Sequence, residues 1–253
     1  YDEDTLSGIN KSNNILLPAP TKKIEAYEST IPKKLFKGKK IEKEVLFVVA
    51  GGGKASLASL AVLEQVSKKH SISILYVKPD KTFLGTESIL LDKIVFNIFQ
   101  EYTRSGKFDR MWMVSNVDIE AVLGGLPIIG YNEAINKALS STFHQYFLFL
   151  ETKPVLDTFS TLPEAARFST IGMFDETAFL EQSFFSLDFV TDVEYYFAYN
   201  EDKLKGDKKV LNMIKSTIQD KNSSATNRCS YGVFATNYKD DFVLFAKHTS
   251  LIQ

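Results

Sequence analysis

Three consecutive glycines, Gly51-Gly52-Gly53, followed by Lys54 and Ser56, are the residues of this chain best suited to hold an anion. Glycine lacks a Cβ, so its backbone amide can approach a phosphate closely. Lys54 offers a charge and Ser56 a hydroxyl. The glycines follow the continuous apolar run Val45-Leu46-Phe47-Val48-Val49, which predicts a strand buried on both faces. A helix expected to begin near Ser56 would turn its free N–H groups and positive dipole end toward the same corner. Ser71 to Val77 then reads as the next parallel strand. Ligands of open parallel sheets sit at the carboxyl ends of the strands, which is where the glycines fall. The spacing excludes a Walker A loop, since GxxxxGK[ST] would require glycine at Val48 and Ser or Thr at Ala55. The same glycines also permit close packing of a helix on a sheet, and both readings stand.

Asn116 follows an apolar strand, and Asn136 lies in a long helical stretch. Capping and surface roles are the commoner ones for either residue. His70, His144 and His248 are widely separated, and no carboxylate or Cys229 joins them at metal-ligand spacing. No GxSxG motif is present, so neither metal nor serine-hydrolase chemistry is expected. A net charge of -1 argues against a nucleic-acid partner. No apolar run approaches the roughly 20 residues of a membrane span. A single cysteine suits a reducing, cytoplasmic setting. The chain begins at Tyr1, and its native N-terminus is expected to lie further upstream.

The positioning elements follow from periodicity. Residues 1–43 are irregular, with a short apolar run at Ile15-Leu16-Leu17 and a lysine-rich stretch from Lys33 to Lys43. Leu91, Ile94, Val95, Ile98 and Tyr102 mark an amphipathic helix capped by Thr86 and ending near Gly106. Asp109 to Val114 reads as a buried strand. A helix from Ile129 to about Leu150 carries Tyr131, Ile135, Ala138, Leu139, Phe143, Tyr146 and Leu150 on one stripe. Its C-terminal half, Tyr146 to Leu150, is apolar all round and is expected to be buried between two bodies of protein. Beyond the Pro154–Pro163 loop, strands are expected at 168–174, 189–199, 230–236 and 242–249, with a helix over 207–220. The last two strands, joined by Asn237-Tyr238-Lys239-Asp240, predict an antiparallel pair. The fold class is α/β: a Rossmann-like front, a long central helix and a smaller α+β back.

This order, with Val48-Val49-Ala50-Gly51-Gly52-Gly53, the strand ending Val77-Lys78-Pro79, and Asn132-Glu133-Ala134-Ile135-Asn136, resembles the tubulin/FtsZ superfamily. The resemblance covers roughly residues 44–253. It implies a tubulin/FtsZ-type domain over 1–128 that is N-terminally incomplete, a central helix over 129–152, and an α+β domain over 153–253. It also implies GTP or GDP at Gly51, Gly52, Gly53, Lys54, Ser56, Asn116 and Asn136, and head-to-tail self-assembly.

The departures from the family pattern bear on activity. Where the family continues its glycine loop Thr-Gly-Thr-Gly or Thr-Gly-Ser-Gly, this chain has Lys54-Ala55-Ser56-Leu57. Asn132 stands where FtsZ members stack a Phe on the base. The family's catalytic carboxylates follow the central helix, and the corresponding position here falls on Phe159, leaving Asp157 and Glu164 as weak candidates. The resemblance therefore implies a filament-forming or structural assembly protein with weak nucleotide binding and weakened or lost GTP hydrolysis, a pseudo-GTPase. Its subunits would contact each other or a larger protein assembly, with the apolar Phe159 expected at the head-to-tail contact. The alternative is an active cytoskeletal GTPase whose first nucleotide-binding segment precedes Tyr1. An unrelated Rossmann-like enzyme is disfavoured, because no GxGxxG opens the helix and only Asp80, beyond Pro79, follows the second strand.

Overall fold

A computed structural model describes residues 31–32, 34–37, 41, 43–53, 55–66, 70–224 and 227–253, without the side chains of 222–224. The expected run at Ile15-Leu16-Leu17 and much of the lysine-rich stretch lie outside these residues. The first unit is β1 (Glu44–Ala50), α1 (Ala55–Val66) and β2 (Ser71–Lys78). A 3-10 turn at Lys81–Phe83 leads to α2 (Thr86–Arg104), then β3 (Arg110–Ser115), α3 (Asn116–Val122) and α4 (Tyr131–Glu151). Gly85, not Thr86, is the N-cap of α2. The remainder is β4 (Leu156–Asp157), β5 (Phe168–Asp175), β6 (Leu180–Ser183), β7 (Asp192–Asn200), α5 (Glu201–Gly206), α6 (Lys208–Ser224), β8 (Arg228–Thr236) and β9 (Phe242–Thr249).

The described strands form one sheet in the order β1-β2-β3-β5-β9-β7-β8-β4, with β6 paired to β5. β1, β2 and β3 run parallel, and β3 joins β5 in parallel through Met111↔Phe168 and Trp112↔Ser169. Alternation along the strands sends side chains to two faces. On one face α4 packs Ile135, Leu139, Phe143, Tyr146 and Phe149 against Leu75, Trp112, Ile171 and Tyr196. On the other, Leu63 and Val66 of α1 and Val95, Phe96 and Phe99 of α2 cover Ile74, Tyr76 and Met113. There, too, Val210 and Ile214 of α6 cover Tyr195, Phe197 and Phe245.

Three expectations are corrected. β8 and β9 do not pair with each other: β7 lies between them, parallel to β8 and antiparallel to β9. Short linkage favoured a hairpin, but β7, buried at eight of nine positions, takes the sheet's interior. β1 is not buried on both faces. It sits at the sheet edge, where Val49 is buried but Val48 is 56% exposed. The end of α4 is not enclosed either. Tyr146 and Phe149 are buried, whereas Phe147, Leu148 and Leu150 face solvent, because the helix has the sheet on one side only.

Candidate functional site

The carboxyl ends of β1, β2 and β3 converge because the three strands are parallel and in register, with Ala50 opposite Val77 and Lys78 opposite Ser115. The turn after β1 is anchored by the Gly51 amide, which donates to the Val77 carbonyl at 2.9 Å. Gly51 has a packing reason to be glycine: a Cβ there would overlap the Asp92 carboxylate and stand 2.6 Å from the Tyr76 hydroxyl. Gly52 has a backbone reason, a φ of 73°, together with Leu84, Ser88 and Pro79 close above it. Gly53 has neither reason: it is exposed, and a Cβ would meet nothing within 4 Å. Among the described residues, the Gly52 and Gly53 amides have no hydrogen-bond partner.

Ser56 is turned inward. Its hydroxyl donates to the Gly53 carbonyl at 2.6 Å and its amide to the same oxygen at 3.0 Å, and the residue is buried. It therefore closes the first turn of α1. Lys54 lies outside the described residues. Behind the loop, Asp92 is buried and accepts from the Tyr76 hydroxyl at 2.8 Å and from Lys78 Nζ at 3.3 Å. Burial pulls the Lys78 ammonium below its ordinary pKa, with Asp92 opposing that shift. Burial pushes the Tyr76 phenol up, and Asp92 pushes it further.

Asn116 opens α3 at the end of β3, beside the N-cap Ser115. Its Oδ1 is buried with no hydrogen-bond partner, an arrangement that a ligand donor would relieve. Asn136 is exposed on the second turn of α4, and Asn132 is exposed one turn earlier. Tyr131, read in the sequence only as part of the helix stripe, is half-buried at the start of α4, and its hydroxyl donates to Glu120 Oε2 of α3 at 2.9 Å. Burial raises its phenol pKa, with Glu120 and Asp80 adding to the shift. An aromatic residue directly after Gly130, which has a φ of 84°, was the available signal. The parallel end of the sheet thus brings together the glycine turn, Lys78, Asn116 and the α3–α4 contact.

Asp157 and Glu164 are elsewhere. Asp157 is exposed on β4, opposite Gly232 of β8, at the sheet edge remote from β1. Glu164 is exposed and pairs with Arg167 at 3.0 Å. Phe159, expected at a contact between subunits, packs into the chain's own core. Its ring centroid lies 5.1 Å from that of Tyr196 and 6.5 Å from that of Phe234.

A second polar cluster crosses the sheet interior. Arg110 Nη1 lies 3.0 Å from Ser169 Oγ and 2.8 Å from His248 Nδ1, and His248 Nε2 lies 3.2 Å from Glu194 Oε2. A guanidinium only donates, so Nδ1 accepts and the imidazole proton sits on Nε2, facing Glu194. Burial holds the His248 pKa below its ordinary value, with Glu194 opposing. Ser169 and His248 are fully buried, so this serine–histidine–glutamate order bridges strands and meets no substrate. Among the described residues, no group of three or more His, Cys, Asp or Glu could hold a metal ion, and no helix is long and apolar enough to cross a membrane.

No protein-family model matches the chain, and no curated protein sequence matches it. Solved structures do. A GTPγS-form protofilament of Bacillus thuringiensis serovar israelensis TubZ superposes with a TM-score of 0.60 at 15% identity, covering 91% of this chain and 65% of that one. This chain has the tubulin/FtsZ fold. A four-stranded TubZ-Bt filament gives a TM-score of 0.63 at 14% identity, covering 91% and 66%. An empty FtsZ dimer from M. jannaschii gives 0.55 at 10% identity, covering 82% and 63%. The chain spans about two thirds of the length of these tubulin/FtsZ-fold proteins.

Proposed function

We propose that the chain is a filament-forming or structural assembly subunit of tubulin/FtsZ type that binds guanine nucleotide weakly and hydrolyses it poorly or not at all. Phe159 carries this reading. Where the resemblance expects a carboxylate to polarise water, this chain has an aromatic ring 5.1 Å from Tyr196, and the preceding residues are held as a strand. The Val155 amide donates to the Val233 carbonyl at 2.7 Å and the Thr158 amide to the Tyr231 carbonyl at 2.8 Å. Asp157 and Glu164 are left on the surface of that segment. The inward turn of Ser56 supports weak phosphate binding in the same way, since its hydroxyl already has a partner. Assembly is supported by the neighbours, which were solved as protofilaments and filaments. A head-to-tail contact is heterologous, so it propagates unless another element blocks it.

Sedimentation with and without GTP, read alongside phosphate release, tests this function. Concentration-dependent pelleting with no phosphate release is expected. The buried, unpartnered Asn116 Oδ1 and the open Gly53 favour a second reading, an active GTPase. GTP-triggered pelleting with phosphate release would establish that reading instead.

A further inference from the structure

We propose that Asp92 sets the anion affinity of the glycine loop by neutralising Lys78, making Asp92 a positioning and affinity-determining residue of the site. The inference rests on the nucleotide-site reading above. An anion site gains from every positive charge near it, yet here a buried carboxylate lies directly against Gly51. A carboxylate so placed must be paired and hydrogen-bonded to be tolerated. One oxygen takes the Tyr76 hydroxyl at 2.8 Å and the other takes Lys78 Nζ at 3.3 Å. Lys78 closes β2 at the ligand end of the sheet and retains 17% side-chain exposure. Its ammonium also lies 3.6 Å from the Phe96 ring centroid, which fixes it on the Asp92 side. The described lysine that closes β2 therefore answers an internal carboxylate, and among its described residues the loop offers an anion backbone amides.

Two roles for Asp92 make opposite forecasts. A purely structural Asp92 would hold the loop in shape, so its loss would weaken stability and ligand binding together. An affinity-determining Asp92 would, on removal, leave Lys78 uncompensated and tighten anion binding while stability falls. Asp92→Asn separates these outcomes, because the amide keeps the shape and its Oδ1 still accepts from Tyr76. Titration of the full chain with Mg-GTP, and separately with inorganic triphosphate, is expected to show a dissociation constant about 3- to 10-fold lower in Asp92→Asn at low salt. That gain should shrink as salt rises. Tyr76→Phe keeps the charge and should lower stability with no gain in affinity. A folded Asp92→Asn that binds either probe no more tightly than the unmodified chain overturns the inference and leaves the proposed function standing. Absence of binding by both chains overturns the nucleotide reading and this inference with it. Should Asp92→Asn fail to fold, Lys78→Gln reads the same balance from the other side: weaker binding supports the inference, and unchanged binding overturns it.

Discussion

β1, with the sequence EVLFVVA, and β7, with DVEYYFAYN, lie in one sheet under opposite conditions. β1 is the more apolar, yet it forms the sheet edge and leaves Val48 largely exposed. β7 carries two acids and three tyrosines and is buried at eight of nine positions. It is tolerated there because most of its polar groups find partners: Glu194 with His248 and Tyr196, Tyr195 with Glu181, Tyr199 with Glu176, and Asp192 with Arg228 through Oδ1, its Oδ2 being buried without a partner. Position in the strand order decides burial, and hydrogen bonding decides which residues can occupy the buried places. Glu181 shows the strength of such pairing. Against the effect of burial, Lys247, Tyr195 and Lys221 hold its carboxyl down to about 2.

The largest effect is expected at the buried end of this contrast. Glu194→Ala would strand two buried donors, the His248 N–H and the Tyr196 hydroxyl, at about 1–3 kcal/mol each, so together about 2–6 kcal/mol in denaturant unfolding. A loss under 1 kcal/mol would mean that the β7 network is not what holds the strand inside. Phe143→Ala should cost a similar amount, about 3–5 kcal/mol, because its ring meets Trp112 at 5.5 Å and is buried. Leu148→Ala, on the solvent side of the same helix, should cost well under 1 kcal/mol. Equal losses at the two positions would show that another body covers α4.

A smaller effect is expected from pH. His248 has a folded pKa below its ordinary 6.5, so the unfolded chain takes up its proton first. The stability due to the neutral imidazole is complete above about pH 6.5 and is lost as pH falls below it, by at most about 1.4 kcal/mol per pH unit. Charged and titratable groups around the ring are Arg110 on β3 and Asp192 and Glu194 on β7. Denaturant midpoints between pH 7.5 and 5.5 should fall in the unmodified chain and flatten in His248→Gln. A flat profile in the unmodified chain would contradict the buried neutral assignment. The smallest effect belongs to β1, where Val48→Thr should change stability by no more than about 0.5 kcal/mol. A loss above about 1.5 kcal/mol would show that this edge is covered.

The sequence made some of these features legible and hid others for physical reasons. The βαβ unit, α2 and α4 were readable because local periodicity and glycine punctuation specify them. The β7 insertion between β8 and β9 was not, since strand order depends on contacts distant in sequence. Gly51, Gly52 and Gly53 were identifiable as a group, but their separate reasons depend on Asp92 and Leu84, which are remote in sequence. Tyr131 was read only as part of the helix stripe because the register placed the stacking position on Asn132. Phe159 was read as a surface contact because nothing local reveals Tyr196 beneath it.

Calorimetric titration of the full chain and of Gly53→Val with Mg-GTP tests the attenuated site most directly. A Cβ at Gly53 would meet nothing within 4 Å, so the variant should fold normally while its branched side chain blocks approach to the open amides. The expected result is millimolar affinity in the unmodified chain, about -4 kcal/mol, and none in Gly53→Val. Micromolar affinity in the unmodified chain, or equal binding by the two proteins, would contradict a weakened nucleotide site at this loop.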